Sequence, residues 1–215
     1  KGEFASGAGS VRTHDVVGPY RADVKGRLAL GKRKLKVVID AGNGTGGVVA
    51  VPLFQSLGLD VVPLFIEMDG RFHNHHADPT VEKNLEHLKA KVLETKADLG
   101  IAYDGDADRV GAVDEKGNVL WGDQIMILFS RALLAEHPGA AIVGEVKCSL
   151  TLYDDIAKHG GRGIMWKAGH SLIKAKMKEE KALLAGEMSG HIFFAHRWFG
   201  FDDGIYSSAR LVELM

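Results

Sequence analysis

The chain has 215 residues, 46% hydrophobic and 26% charged, with a formal net charge of −1 at pH 7. That balance is ordinary for a soluble protein, and it provides no basic field that would point to nucleic acid. Cys148 is the lone cysteine and no apolar run reaches the roughly 18 residues of a membrane helix, so disulfides and membrane spans are excluded and a cytoplasmic location is expected.

Residues 1–16 are polar, with Gly7, Gly9 and Ser10, and read as a tail from a preceding domain. Two α/β units are expected after it, over 17–118 and 119–215. In the first, Val16, Val17, Tyr20 and Val24 recur at helical spacing within Asp15 to Leu30. Leu35 to Asp40 reads as a strand, Gly42 to Gly47 as a glycine loop, and Leu53, Phe54 and Leu57 as the apolar side of a short helix. Asp60 to Ile66 is a second strand, and Val81 to Lys96 a helix with Val81, Leu85, Leu88 and Val92 on one face. Leu99 to Tyr103 and Val110 to Val113 are buried strands, and a hairpin turns at Glu115-Lys116-Gly117-Asn118. The second unit starts with a helix, Asp123 to Glu136, ended by Pro138-Gly139. There follow a strand (Ala141 to Val146), a helix (Leu150 to His159), a strand (Gly163 to Trp166) and a helix (Ser171 to Lys181). A hairpin of Ala182 to Ala185 with Ile192 to Phe194 and a last helix, Asp203 to Met215, complete the chain. The expected fold is two consecutive three-layer α/β/α domains, each a mostly parallel sheet with an antiparallel edge strand. The element order roughly repeats, without a residue-level repeat. A first residue that is Lys and an end within a helical pattern suggest part of a longer protein.

Chemistry concentrates at Asp104-Gly105-Asp106-Ala107-Asp108-Arg109, between two apolar strands. Three carboxylates at alternate positions repel one another and are costly to bury unless paired or metal-bound. A hard divalent cation such as Mg²⁺ would relieve that repulsion, with Asp104, Asp106 and Asp108 as oxygen ligands. Arg109 adds a positive fork shaped for phosphate. An EF-hand needs Gly at position 6 and helical flanks; here Arg109 and strands take those places. A haloacid-dehalogenase-type phosphatase also places D-x-D after a strand, but usually carries Thr or Val where Asp108 stands.

Gly42, Gly44 and Gly47 spell G-x-G-x-x-G between a strand and a helix, with Glu67 twenty residues beyond. This matches the dinucleotide fingerprint, so an NAD-dependent oxidoreductase is the alternative reading. His73, His75 and His76 cluster in a loop but lack a well-spaced fourth ligand, and read as structural. In the second unit, three loops after strands carry polar residues that packing does not require: Lys147; Lys167 and His170; and Glu187, Ser189 and His191. Open α/β sheets bind ligands at such carboxyl ends.

Several of these stretches together resemble one family. Asp104 to Arg109 resembles the metal loop of the α-D-phosphohexomutases, and Gly186-Glu187-Met188-Ser189-Gly190-His191 their sugar-recognition loop. Val146 to Ser149, Lys167 to Ser171, Arg197 to Gly204 and Asp40 to Gly44 are similar to the bacterial phosphomannomutase/phosphoglucomutase branch. Ala107 stands where relatives often have Gly. The resemblance covers most of residues 35–215. It implies domain 2 and most of domain 3 of a four-domain enzyme whose first domain carries a phosphoserine. No Ser-His-Asn occurs here, so this stretch alone is expected to be inactive.

The implied reaction interconverts hexose 1-phosphate and hexose 6-phosphate, of mannose or glucose, through the phosphoserine and a bisphosphorylated sugar. The implied roles are Mg²⁺ on Asp104, Asp106 and Asp108, and Arg109 on the transferred phosphate. Lys147, His170, Glu187, Met188, Ser189, Gly190 and His191 bind the sugar phosphate, and Lys147, His170 or His191 assists proton transfer. The expected partners are the sugar phosphates and the flanking domains, with no nucleic acid and no membrane.

Overall fold

The computed structural model of the chain describes residues 2–4 and 6–215. Its elements are α1 (Val17–Gly26), β1 (Lys36–Asp40), α2 (Gly46–Ser56), β2 (Asp60–Leu64), α3 (Glu86–Thr95), β3 (Leu99–Tyr103), β4 (Val110–Asp114), β5 (Val119–Leu120), α4 (Gly122–Glu136), β6 (Ala141–Glu145), α5 (Leu150–Lys158), β7 (Arg162–Trp166), α6 (His170–Glu179), β8 (Leu184–Gly186), β9 (Ile192–Phe194) and α7 (Gly204–Glu213). The first sheet has the order β2-β1-β3-β4-β5 and the second β7-β6-β8-β9. In each, the central strand has two parallel neighbours and the hairpin adds an antiparallel edge. The loop from β3 to β4 and the loop from β8 to β9 therefore occupy equivalent places in the two units. β5 pairs with β4, so Val119 and Leu120 lie in the first sheet, just past the expected division at 118.

Alternation along the central strands explains the layers. Val38 faces Leu85, Leu88 and Val92 under α3, whereas Val37 and Ile39 face Leu53 and Phe54 of α2. Val143 likewise faces Ile173 and Met177 of α6, whereas Ile142 joins the same inner core as α2. Helices thus cover both faces of each sheet, which is why β3 and β6 are buried along their whole length. The inner core runs without a break from β1 to β9, and α7 packs on β3, β4 and α2 of the first unit as well as on β9. Helix α1 also ties the units. The Tyr20 hydroxyl donates to Asp203 at 2.9 Å, and the Arg27 guanidinium lies over the Trp198 and Phe199 rings, 5.1 and 4.6 Å from their centroids.

Most expected elements keep their places to within two residues at either end, and two helices change more. The Val81–Lys96 helix opens as a 3-10 turn over Glu82–Leu85, and Val81 is extended and 46% exposed, off the apolar face. The helix within Asp15 to Leu30 shortens to α1, where Val24 is the one fully buried residue.

Candidate active site at the junction of the two sheets

The acidic loop joins β3 to β4 and is held from three sides by backbone hydrogen bonds. Thr45 N donates to Gly105 O at 2.9 Å, Gly204 N to Ala107 O at 3.0 Å, and Val110 N to Gly190 O at 3.1 Å. The approach at Gly44 is so close that a Cβ there would fall 2.6 Å from Gly105 O. The glycine that would admit a pyrophosphate in a dinucleotide site is filled by the acidic loop, so the oxidoreductase reading finds no support. Gly190, at φ +91, meets the same loop, and a Cβ would fall 2.5 Å from Val110 O. Ala107 itself sits at φ +64, a left-handed conformation that favours glycine.

Within the loop, one carboxylate oxygen each from Asp104, Asp106 and Asp108 lies within 4.8 Å of the others. Asp104 is buried, Asp108 half-buried and Asp106 exposed. Asp104 accepts from Arg109 Nε at 2.7 Å and from Arg109 N at 3.1 Å, so one acid of the three is neutralised inside the protein. Burial pushes the Asp108 carboxyl up to about 6, with Asp104, Asp106 and Asp202 adding to the rise and His191 opposing it. An all-oxygen donor set carrying unrelieved negative charge fits a hard divalent cation such as Mg²⁺.

The second unit brings its loop against this one. His191 Nδ1 lies 3.6 Å from Asp108 Oδ1 and 3.1 Å from Asp202 Oδ2, the latter an ion pair off the line of a hydrogen bond. Burial works to lower the His191 pKa, but Asp202 and Asp108 outweigh it and the net direction is up. Asp202 also takes Lys174 Nζ at 2.9 Å, and His170 stacks on His191 with centroids 5.8 Å apart. Burial would raise Asp202, yet His191 and Lys174 hold it well below the usual carboxylate range. Glu187 is buried and accepts from Gly169 N at 2.6 Å, with the Ser189 hydroxyl 3.5 Å from its other oxygen. Lys147 Nζ lies 3.3 Å from Glu145 Oε1, which also accepts from Met188 N at 2.9 Å. A cleft of about 530 Å³ opens beside these groups, lined by Asp106, Asp108 and Asp202 and by the apolar Val48, Val49 and Ile205.

The structure thus gathers Asp104, Asp106, Asp108, Arg109, His170 and His191 around one junction, and links Lys147 to the Glu187–Ser189 loop through Glu145. Lys167 is not drawn in; its ammonium lies 5.9 Å from the Trp166 ring centroid. His73 and His75 each face their own acid, Asp69 at 3.3 Å and Asp40 at 3.1 Å, as a structural loop should. Sequence reasoning passed over Asp78, Glu145 and Asp202. Glu145 had one signal, an acid at the end of an apolar strand. A separate cluster, Glu136, His137 and His196, lies at the other end of α4 from the acidic loop. Its His196 has a buried Nδ1 without a partner, and Arg210 and Arg197 lower its pKa after burial, so the surroundings disfavour a cation.

Comparison with known proteins agrees with this geometry. Residues 19–117 match the family described as phosphoglucomutase/phosphomannomutase, alpha/beta/alpha domain II, and residues 121–215 match its domain III. The phosphomannomutase/phosphoglucomutase of Pseudomonas aeruginosa is 52% identical over all 215 residues, which cover 46% of that protein. A phosphoglucomutase of Neisseria meningitidis is 48% identical over 96% of the chain and 45% of its own length. The crystal structure of a phosphoglucomutase/phosphomannomutase family protein from Burkholderia thailandensis superposes with a TM-score of 0.94 at 47% identity, over 98% of this chain and 46% of that one. The chain spans about half the length of the curated relatives it matches. It belongs to the phosphoglucomutase/phosphomannomutase family, as that family's alpha/beta/alpha domains II and III.

Proposed function

We propose that these residues form the metal and sugar-recognition half of a phosphohexomutase that interconverts hexose 1-phosphate and hexose 6-phosphate, of mannose or glucose. The observation that carries this reading is His191 of the second unit, whose Nδ1 lies against Asp108 of the acidic loop as well as Asp202. Asp104, Asp106 and Asp108 would hold Mg²⁺, whose charge offsets that of the phosphoryl group in transfer. Arg109 lies beside them to engage a phosphate oxygen. Glu187 and Ser189 hold sugar hydroxyls, and Met188 and Gly190 set the path of that loop. Lys147 and His170 position the sugar phosphate. His191 takes the proton of the attacking sugar hydroxyl as the sugar oxygen–phosphorus bond forms and the phosphoserine oxygen–phosphorus bond breaks, and returns a proton in the reverse step. On this reading, the phosphoserine that gives and receives the phosphoryl group would be supplied from outside the residues of this chain. The cytoplasm, where sugar phosphates and a free thiol are both at home, is the proposed location, and among the described residues no helix is long and apolar enough to cross a membrane.

The test is a coupled assay with glucose 1-phosphate or mannose 1-phosphate, Mg²⁺ and the 1,6-bisphosphate. The 215-residue chain should give no turnover, because effective positioning contributes about 7–11 kcal/mol to such barriers and the phosphoserine is not among its residues. The Pseudomonas aeruginosa relative with its matching residues replaced by this chain should turn over, and should lose activity on Asp106→Asn. Turnover by the chain alone, abolished by Asp104→Asn, would favour a phosphatase-like Asp104 nucleophile instead.

A further inference from the structure

Arg109 is held by two carboxylates, one of them 31 residues away in sequence. Its Nε donates to Asp104 Oδ2 at 2.7 Å, and its Nη1 donates to Asp78 Oδ1 at 3.3 Å. Nη2 has no partner among the described residues. Asp78 is itself a fixed post. Oδ1 accepts from the Thr80 hydroxyl at 2.7 Å and from Thr80 N at 3.0 Å, and its carbonyl accepts from Asn84 Nδ2 at 2.9 Å. The next residue, Pro79, packs on β4: a Cβ at Gly111 would fall 2.8 Å from Pro79 Cβ.

We propose that Asp78 is a positioning residue for Arg109, fixing the plane of the guanidinium so that the Nη2 edge remains for a phosphate oxygen. This rests on the mutase reading only for the identity of the anion. The geometric reason is a division of labour. Asp104 alone ties the guanidinium at Nε, leaving its plane free to turn about that contact. Asp104 is also one of the three acids suited to a cation, and a cation drawing on its oxygens weakens its hold on Arg109. Asp78 is outside that set, so its contact persists when the acidic loop is loaded. A planar fork held at two nitrogens presents the third in a set direction, which a lysine at this position could not do.

The test has two parts. In the 215-residue chain, the Arg109 Nε–H resonance, assigned through Arg109→Lys, is followed by heteronuclear NOE with and without Mg²⁺. The unaltered chain should show an NOE like that of the rigid backbone in both conditions. Asp78→Asn should lower it, most with Mg²⁺ present, and Thr80→Val, which loosens Asp78 without removing it, should lower it less. If Asp78→Asn fails to fold, Thr80→Val decides. An unchanged Arg109 NOE and shift in the folded variants overturns the proposal. In the chimeric enzyme, Asp78→Asn should lower kcat/KM by about 10–100-fold, the usual loss for a residue that orients a metal-site group. The double variant Asp78→Asn/Arg109→Ala should be no worse than Arg109→Ala. Losses that multiply would show that Asp78 acts elsewhere and would overturn the proposal. A chimera inactive before any substitution counts against the mutase reading, while the NOE still decides the role of Asp78.

Discussion

Asp108→Asn is expected to stabilise the metal-free chain and to abolish its response to Mg²⁺. The carboxyl is pushed from an ordinary 3.8 to about 6, chiefly by burial and then by Asp104, Asp106 and Asp202, against the opposing pull of His191. A native pKa above the unfolded value means that the folded state binds the proton more tightly. The stabilising share is therefore present below about 4, is lost as pH rises through about 6, and is a full penalty at neutral pH. Two units correspond to roughly 3 kcal/mol. With 36% of the side chain exposed, solvent screening reduces this to about 1 kcal/mol. Asparagine keeps the shape and removes the charge, so the melting temperature at pH 7.5 in EDTA should rise by about 2–4 °C for a chain of this size. The gain should shrink at pH 5. With Mg²⁺ the order should invert: the unaltered chain gains stability by mass action and the variant does not. A scanning-fluorimetry series in EDTA and in Mg²⁺ at both pH values reads all four numbers. A variant less stable than the parent at pH 7.5 in EDTA would refute the repulsion argument. A retained Mg²⁺ shift would refute Asp108 as a ligand.

Other outcomes follow from single contacts. Asp202→Asn should lower the His191 titration midpoint followed by imidazole NMR, because it removes the main group that raises it. Burial pushes the Cys148 thiol up to about 12, so the native chain should resist a thiol reagent at pH 8 and react once unfolded. Calorimetry with NAD⁺ should show no binding, and Gly44→Val should destabilise the chain by driving Cβ into Gly105 O; micromolar NAD⁺ binding would restore the dinucleotide reading. Tyr103→Phe should cost about 1 kcal/mol in chemical unfolding, the worth of the buried 2.6 Å hydroxyl bond to Ser208 between the units.

Which parts of this site could be read in the sequence follows from how each residue acts. Asp104, Asp106 and Asp108 were legible because their chemistry is local: alternate acids after a buried strand conflict with burial whatever the partner. The strands were also legible locally, since Leu99 to Tyr103 and Ala141 to Val146 are mostly apolar runs too short for helices. Asp78 and Asp202 were not, because each takes its role from residues brought to it only by the fold, Arg109 for one and His191 with Lys174 for the other. The neighbours Asp202 and Asp203 look alike in sequence, yet the first pairs with the catalytic candidate His191 and the second caps α7 by accepting from Tyr206 N at 2.8 Å. The glycines of the dinucleotide-like loop misled for a related reason. Spacing reports that backbone comes close, and the structure shows that what comes close is the protein's own acidic loop. Lys167 looked like Lys147 and His170 in sequence, and in the structure its ammonium lies 5.9 Å from the Trp166 ring centroid.

The acidic loop of one unit and the Glu187–Gly190 loop of the other form the proposed single centre, and paramagnetic relaxation tests that most directly. With Mn²⁺ in place of Mg²⁺, the imidazole resonance of His191 and the backbone amides of Glu187 to Gly190 should broaden together at saturating metal. The effect should vanish in Asp104→Asn. If Mn²⁺ broadens the Asp104–Arg109 amides and leaves His191 and the Glu187–Gly190 loop untouched, the two loops do not share a centre.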